Sequence, residues 1–593
     1  MKKYLNRASN YDKYPSIKMS SEHKCWQGWV DISKQLTDKI SNISSSKKTI
    51  VIECYQGIYE EEVEINIRKI FSKAIFIKST EAMLSQSVLN EKMKADITND
   101  ELFGYLTRYT MENYFDLEKV ETVRKRISDM EDGIVVVYGV GAAYIQPQYD
   151  VLAYADMARW EIQMRHRRNQ VSNVGVNNKE ERTSLKHKRA YFIDWCICDR
   201  FKKTLIDKWD YVLDTNTIGS PKMSTGKAVR SGLETASKKP FRVVPFFDAG
   251  PWGGQWMKEV CDLDKSSINY AWCFDCVPEE NSLYLDFDGV NFEIPSIDIV
   301  FAHPRELLGD PVYGRFGAEF PIRFDLLDTM QGGNLSLQVH PTIEFLQENF
   351  GMHYTQDESY YIVDAEEDAV VYLGLKNGID KDEMINDLRR AQAGEIVFDA
   401  EKYAGVYPIK KHDHALIPAG TVHCSGANSV VLEISATPNL FTFKLWDWGR
   451  LGLDGRPRPI NVERGKEVIQ WERDEDWVRR EILDRRMVVA EGDGWREEFT
   501  GLHEREFIET RRHYFTKPVL HNTNDGVNVF NLVEGDEAII ESPTNAFDPF
   551  LVHYAETFII PASVKEYTIR PYGLSEGKEC VTIKAYVRAN AYE

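Results

Sequence analysis

Four polar residues set into strand-like apolar runs near the middle of this chain constrain its fold more than anything else in it. Gln338 and His340 stand two apart in Leu335-Ser-Leu-Gln-Val-His-Pro341, so on a strand they face the same side. Glu358 opens the run Glu-Ser-Tyr-Tyr-Ile-Val, and His423 ends the turn Ile417-Pro-Ala-Gly-Thr-Val-His423. One histidine on a strand is ordinarily a satisfied core residue. Two imidazoles, a carboxylate and an amide oxygen on several strands suit a divalent zinc ion that keeps one position open.

Other markers surround these four. Trp252-Gly-Gly254, His303-Pro304 and Phe320-Pro-Ile-Arg-Phe-Asp-Leu-Leu327 precede them, and Val431-Leu-Glu-Ile434 and Leu445-Trp-Asp-Trp-Gly-Arg450 follow. In this order the motifs resemble the class I mannose-6-phosphate isomerases, which are cupin-fold sugar-phosphate isomerases. The resemblance runs from about Trp252 to Glu467 and extends, more weakly, toward the C-terminus. It implies zinc held by Gln338, His340, Glu358 and His423, and interconversion of mannose 6-phosphate and fructose 6-phosphate. It also implies a catalytic or phosphate-binding role for Arg450, although the family's Asp-x-Arg motif is one residue longer here.

The departures matter as much. Gln356 and Asp325 stand where the family carries lysines. Arg323, which shares a strand face with Asp325, and Lys444 are the expected replacement cations. The stretch Lys410, Lys411, His412, His414 is a further candidate, although such a basic run is more often a solvated loop. Loss of the lysines sustains a second expectation, a metal-bearing sugar-phosphate sensor without strong catalysis.

The expected architecture is multidomain: an α/β domain, then mainly-β cupin jelly rolls with a helical insertion. Apolar runs at Thr49-Ile-Val-Ile52, Ala74-Ile-Phe-Ile77 and Gly133-Ile-Val-Val-Val-Tyr138 alternate with charged helical stretches, which predicts buried parallel strands over 1–213. Residues 214–240 have linker composition. A metal-binding cupin is expected over 241–490, with a helix between Gly378 and Ala404. A second cupin sheet is expected over 491–593, without metal, because no histidine follows Pro561 at the spacing of His423 after Pro418.

The N-terminal domain resembles a P-loop nucleoside-kinase type in outline. After Ile52 it reads Glu53-Cys-Tyr-Gln-Gly-Ile-Tyr-Glu-Glu61, without the Lys and Ser/Thr that hold phosphate and magnesium. A degenerate domain that self-associates or regulates is the expectation. A net charge of −20 argues against nucleic acid and anionic membranes as partners, leaving a small sugar phosphate. With no 18-residue apolar run and nine irregularly spaced cysteines, the expected compartment is the cytoplasm.

Overall fold

The structure is a computed structural model. It describes residues 3–438, 440–501, 503 and 505–588. The chain divides into two compact units: Ser16–Ala236 with Pro278–His303, and Met1–Pro15 with Ser237–Val277 and Pro304–Glu593.

The first unit is built on a seven-stranded sheet in the order Cys25–Gln27, Lys222–Thr225, Tyr211–Asp214, Val151–Asp156, Lys47–Cys54, Gly133–Gly139, Ile75–Lys78. The last five run parallel. Lys47–Cys54 is buried from Thr49 onward on both faces, as a strand covered on two sides must be. Helices cross between the strands, among them Leu117–Ser128, where the Asp116 side chain accepts from the first-turn amides of Glu118 and Lys119.

The expected linker is corrected here. Residues 214–240 contain the strand Lys222–Thr225 and the helix Gly226–Ala236, whose Ala228, Val229, Leu233 and Ala236 are buried. Small residues that read as linker composition serve close packing instead. A Cβ on Gly226 would stand 1.9 Å from the Trp209 carbonyl oxygen, and one on Gly232 would stand 2.8 Å from the Leu285 side chain. The boundary at 241 is corrected too. Residues 278–303 return to this unit as the hairpin Ser282–Phe287/Val290–Pro295, paired in parallel with Ser16–Lys18.

The second unit is β-rich. One six-stranded sheet has the order His414–Ile417, Glu358–Ala365, Ser429–Ala436, Ile322–Asp328, Trp272–Cys276, Phe246–Asp248. A five-stranded sheet has the order Ala404–Pro408, Val370–Leu375, His423–Ser425, Leu337–Val339, Phe443–Trp446. Both are antiparallel, and they meet where His340 and His423 reach Glu358. The insertion between Gly378 and Ala404 holds the helix Lys381–Gln392, started by Asp380, which accepts from two first-turn amides.

The C-terminal region differs from the single sheet expected over 491–593. It forms two sheets, of six and four strands, and the first strand, Met487–Gly492, begins earlier. Phe515, Phe530, Phe558, Tyr567 and Ile569 fill the space between them. The exposed face of Met487–Gly492 explains the misplaced boundary, since an edge strand of this kind carries little periodic burial.

His414 yields a stability prediction. It is 1% exposed, and burial, then Arg512, push its pKa down to about 3. An imidazole in the unfolded chain takes its proton near pH 6.5. Between those values the unfolded chain binds a proton that the fold refuses, so stability falls as pH drops below about 6.5, by roughly 1.4 kcal/mol per unit. The melting temperature is expected to fall from pH 7.5 to 5.5, and less so in His414→Gln. An equal fall in that variant contradicts the assignment.

Candidate metal centre

Three strands deliver the four residues. Gln338 lies mid-strand in Leu337–Val339, directly opposite His423. His340 follows that strand, Glu358 opens Glu358–Ala365, and His423 opens His423–Ser425. The turn before His423 is clamped. Buried Arg473 donates to the carbonyls of Pro418 at 2.7 Å and Ala419 at 2.8 Å, and Asp357 accepts from the Ala419 amide at 2.8 Å. Gly420 takes φ +92°, a conformation side chains disfavour.

The side chains converge. Glu358 lies 3.1 Å from His340 Nε2 and 2.7 Å from His423 Nε2, and Gln338 stands 3.3 Å from His423 Nε2. Ligand atoms of His340, Glu358 and His423 all lie within 4.8 Å of one another, the one such grouping of three or more His, Cys, Asp or Glu among the described residues. His340 Nδ1 faces the Phe441 carbonyl at 3.2 Å and His423 Nδ1 faces that of Thr421 at 2.8 Å, so each ring donates there and turns Nε2 inward. Buried His340 Nε2 and Glu358 Oε1 have no hydrogen-bond partner. Orphaned acceptors aimed at one point fit a bound cation.

A second layer was hidden in the sequence. Gln356 Nε2 donates to Glu358 at 3.1 Å and to Glu433 at 3.2 Å. Arg323 pairs with Asp325 and, at 3.4 Å, with Glu433. Arg323 therefore lies near the centre with its charge engaged by two carboxylates. Burial, then the charge of Glu358, push the Glu433 pKa up to about 7. Gln356→Leu removes the donor between Glu358 and Glu433 and is expected to cost about 2 kcal/mol or more of stability, read from the denaturation midpoint. An unchanged midpoint contradicts that role.

On the other side stands a cationic group. Lys444 is directly opposite Gln338 on the neighbouring strand, so both side chains lie on one face. Burial, then Arg458, push its pKa down to about 8. Arg450 donates to Asp447 at 2.7 Å, and Arg458 reaches the same carboxylate at 3.3 Å. The sequence reading missed Arg458 and passed over Glu433. The signal for Glu433 was its position as the one charged residue in the wholly buried strand Ser429–Ala436. Lys411 and His412 lie elsewhere, with Glu534.

Parts of this chain are similar to known proteins. The profile of a domain of unknown function, DUF8485, matches residues 28–238. Mannose-6-phosphate isomerase ManA of Bacillus subtilis is 25% identical over 238 residues, 39% of this chain and 68% of the relative. The protein named "Probable mannose-6-phosphate isomerase GmuF", from the same organism, is 31% identical over 232 residues, again 39% of this chain and 68% of the relative. A crystal structure of the mannose 6-phosphate isomerase from Bacillus subtilis covers 59% of this chain and 100% of its own, with 19% identity and a TM-score of 0.48. No helix among the described residues is long and apolar enough to cross a membrane. By its likeness to GmuF, the chain belongs to the mannose-6-phosphate isomerase family.

Proposed function

We propose that the protein is a cupin-type, zinc-dependent aldose–ketose isomerase that interconverts mannose 6-phosphate and fructose 6-phosphate. The carrying observation is the convergence of two imidazoles and a carboxylate, each ring spending its Nδ1 on a backbone carbonyl. Gln338, His340, Glu358 and His423 would hold the metal, which supplies Lewis-acid polarisation of the sugar oxygens when bound. The reaction moves a proton between C1 and C2 through a cis-enediol. Glu433, with its pKa near 7, is the carboxyl suited to exchange that proton at neutral pH. Lys444, Arg450 and Arg458 would supply positive charge for the phosphate in an otherwise acidic protein, the two guanidinium groups sharing the Asp447 carboxylate. Nine free cysteines fit a reducing cytoplasm as the place of work.

A second reading, a sugar-phosphate sensor, is favoured by Arg323, whose charge is engaged by Asp325 and Glu433, and by the neutral Gln356 beside Glu358. A coupled assay of fructose 6-phosphate formation from mannose 6-phosphate, with zinc supplied, separates the two. Turnover supports the isomerase. Calorimetric binding without turnover supports the sensor.

A further inference from the structure

The α/β unit contains a cavity of about 440 Å³. Its lining includes residues just past the carboxyl ends of Lys47–Cys54, Ile75–Lys78 and Gly133–Gly139. From Lys47–Cys54 the chain runs outward to Ile75–Lys78, returns to Gly133–Gly139, then crosses to Val151–Asp156 on the other side. Parallel sheets take ligands where the strand order reverses in this way, and the volume suits a small molecule.

The walls are set before any ligand arrives. Gln56 accepts from the Trp195 indole at 3.0 Å and donates to the Ser172 carbonyl at 3.1 Å. Asn173 donates to Asp194 at 2.8 Å and accepts from Asn178 at 2.8 Å. The Tyr59 ring lies under the Arg165 guanidinium, 3.9 Å from its carbon to the ring centre. Arg165 is itself fully buried and fixed to the Gly57 and Thr215 carbonyls, each at 2.9 Å. The Tyr59 hydroxyl donates to Gln170 Oε1 at 2.6 Å, which leaves the Gln170 amide hydrogens for a ligand. Ile58, Val140, Val171 and Val174 supply apolar surface.

Charge decides the class of ligand. Two lysines, Lys78 and Lys179, are matched by Glu60 and Glu61, and Lys78 is 3.1 Å from Glu60. The backbone amides of Gly141 and Ala143 are occupied by the Glu53 carboxylate at 2.7 and 2.8 Å. A phosphate would meet lysines already balanced by carboxylates, and the strand-end amides beyond Val140 are taken by Glu53.

We propose that this cavity binds an uncharged, ring-bearing, polyhydroxylated small molecule and disfavours its phosphate ester. A free hexose and a nucleoside share that chemistry. The test is calorimetry on the full-length His340→Ala/His423→Ala protein, which lacks the metal centre, with mannose, fructose, adenosine and uridine, then mannose 6-phosphate, AMP and UMP. At least one neutral compound is expected to bind with a Kd of about 1 mM or tighter. Its ester is expected to bind about tenfold more weakly, and Gln170→Ala to weaken the neutral compound about fivefold. Val176→Trp, which fills the cavity, is expected to abolish binding with an unchanged circular dichroism spectrum. Whether a hexose or a nucleoside gives the heat names the source. No binding by any neutral compound, equal binding of the esters, or binding indifferent to both Gln170→Ala and Val176→Trp overturns the proposal.

Discussion

His340→Ala/His423→Ala is expected to reduce bound metal from one equivalent to near zero and to lower isomerase turnover by about three decades. Each ring has its Nδ1 committed to a backbone carbonyl, so Nε2 is the atom lost in each substitution. Of the clustered trio only Glu358 would remain, with the Gln338 amide beside it, too few donors for a tight tetrahedral centre. Removing a Lewis acid withdraws several kcal/mol from the transition state, and about 4 kcal/mol corresponds to the three decades. Elemental analysis and the coupled assay read the two effects separately. Full metal content in the double variant removes these histidines from the ligand set.

Arg450→Ala is expected to lower kcat/KM for mannose 6-phosphate by one to two decades while leaving metal content unchanged. A guanidinium contact to phosphate is charge-assisted and worth roughly 1.5–3 kcal/mol. Asp447 holds Arg450 and Arg458 together, so the substitution also frees a carboxylate to draw Arg458 inward. Arg450→Lys should recover only part of the loss, because an ammonium cannot form the two-point contact. If Arg450→Ala matches the wild type, the phosphate does not lie on this side of the centre.

The meeting of His340, Glu358 and His423 was legible in sequence because its signal is local. Gln338 and His340 are two apart on one strand, and the Pro-Ala-Gly turn leads straight into His423. The layer behind them was not, since it depends on pairing between distant strands. Glu433 faces Asp325 on one neighbouring strand and Tyr360 on the other, and that register alone brings Arg323 and Gln356 to it. Arg458 lies in a polar loop whose composition says nothing about Asp447. The parallel strands of the α/β unit were read from their apolar runs. The helix Gly226–Ala236 was missed because the small residues that let it pack against Trp209 and Leu285 resemble a linker.

The most direct test of the central claim is a zinc titration of the metal-stripped wild-type protein, with conversion of mannose 6-phosphate followed at each addition. The expectation is no turnover without metal, a linear rise, and a break at one equivalent per chain. Turnover that is independent of metal, or none after the first equivalent has bound, contradicts it.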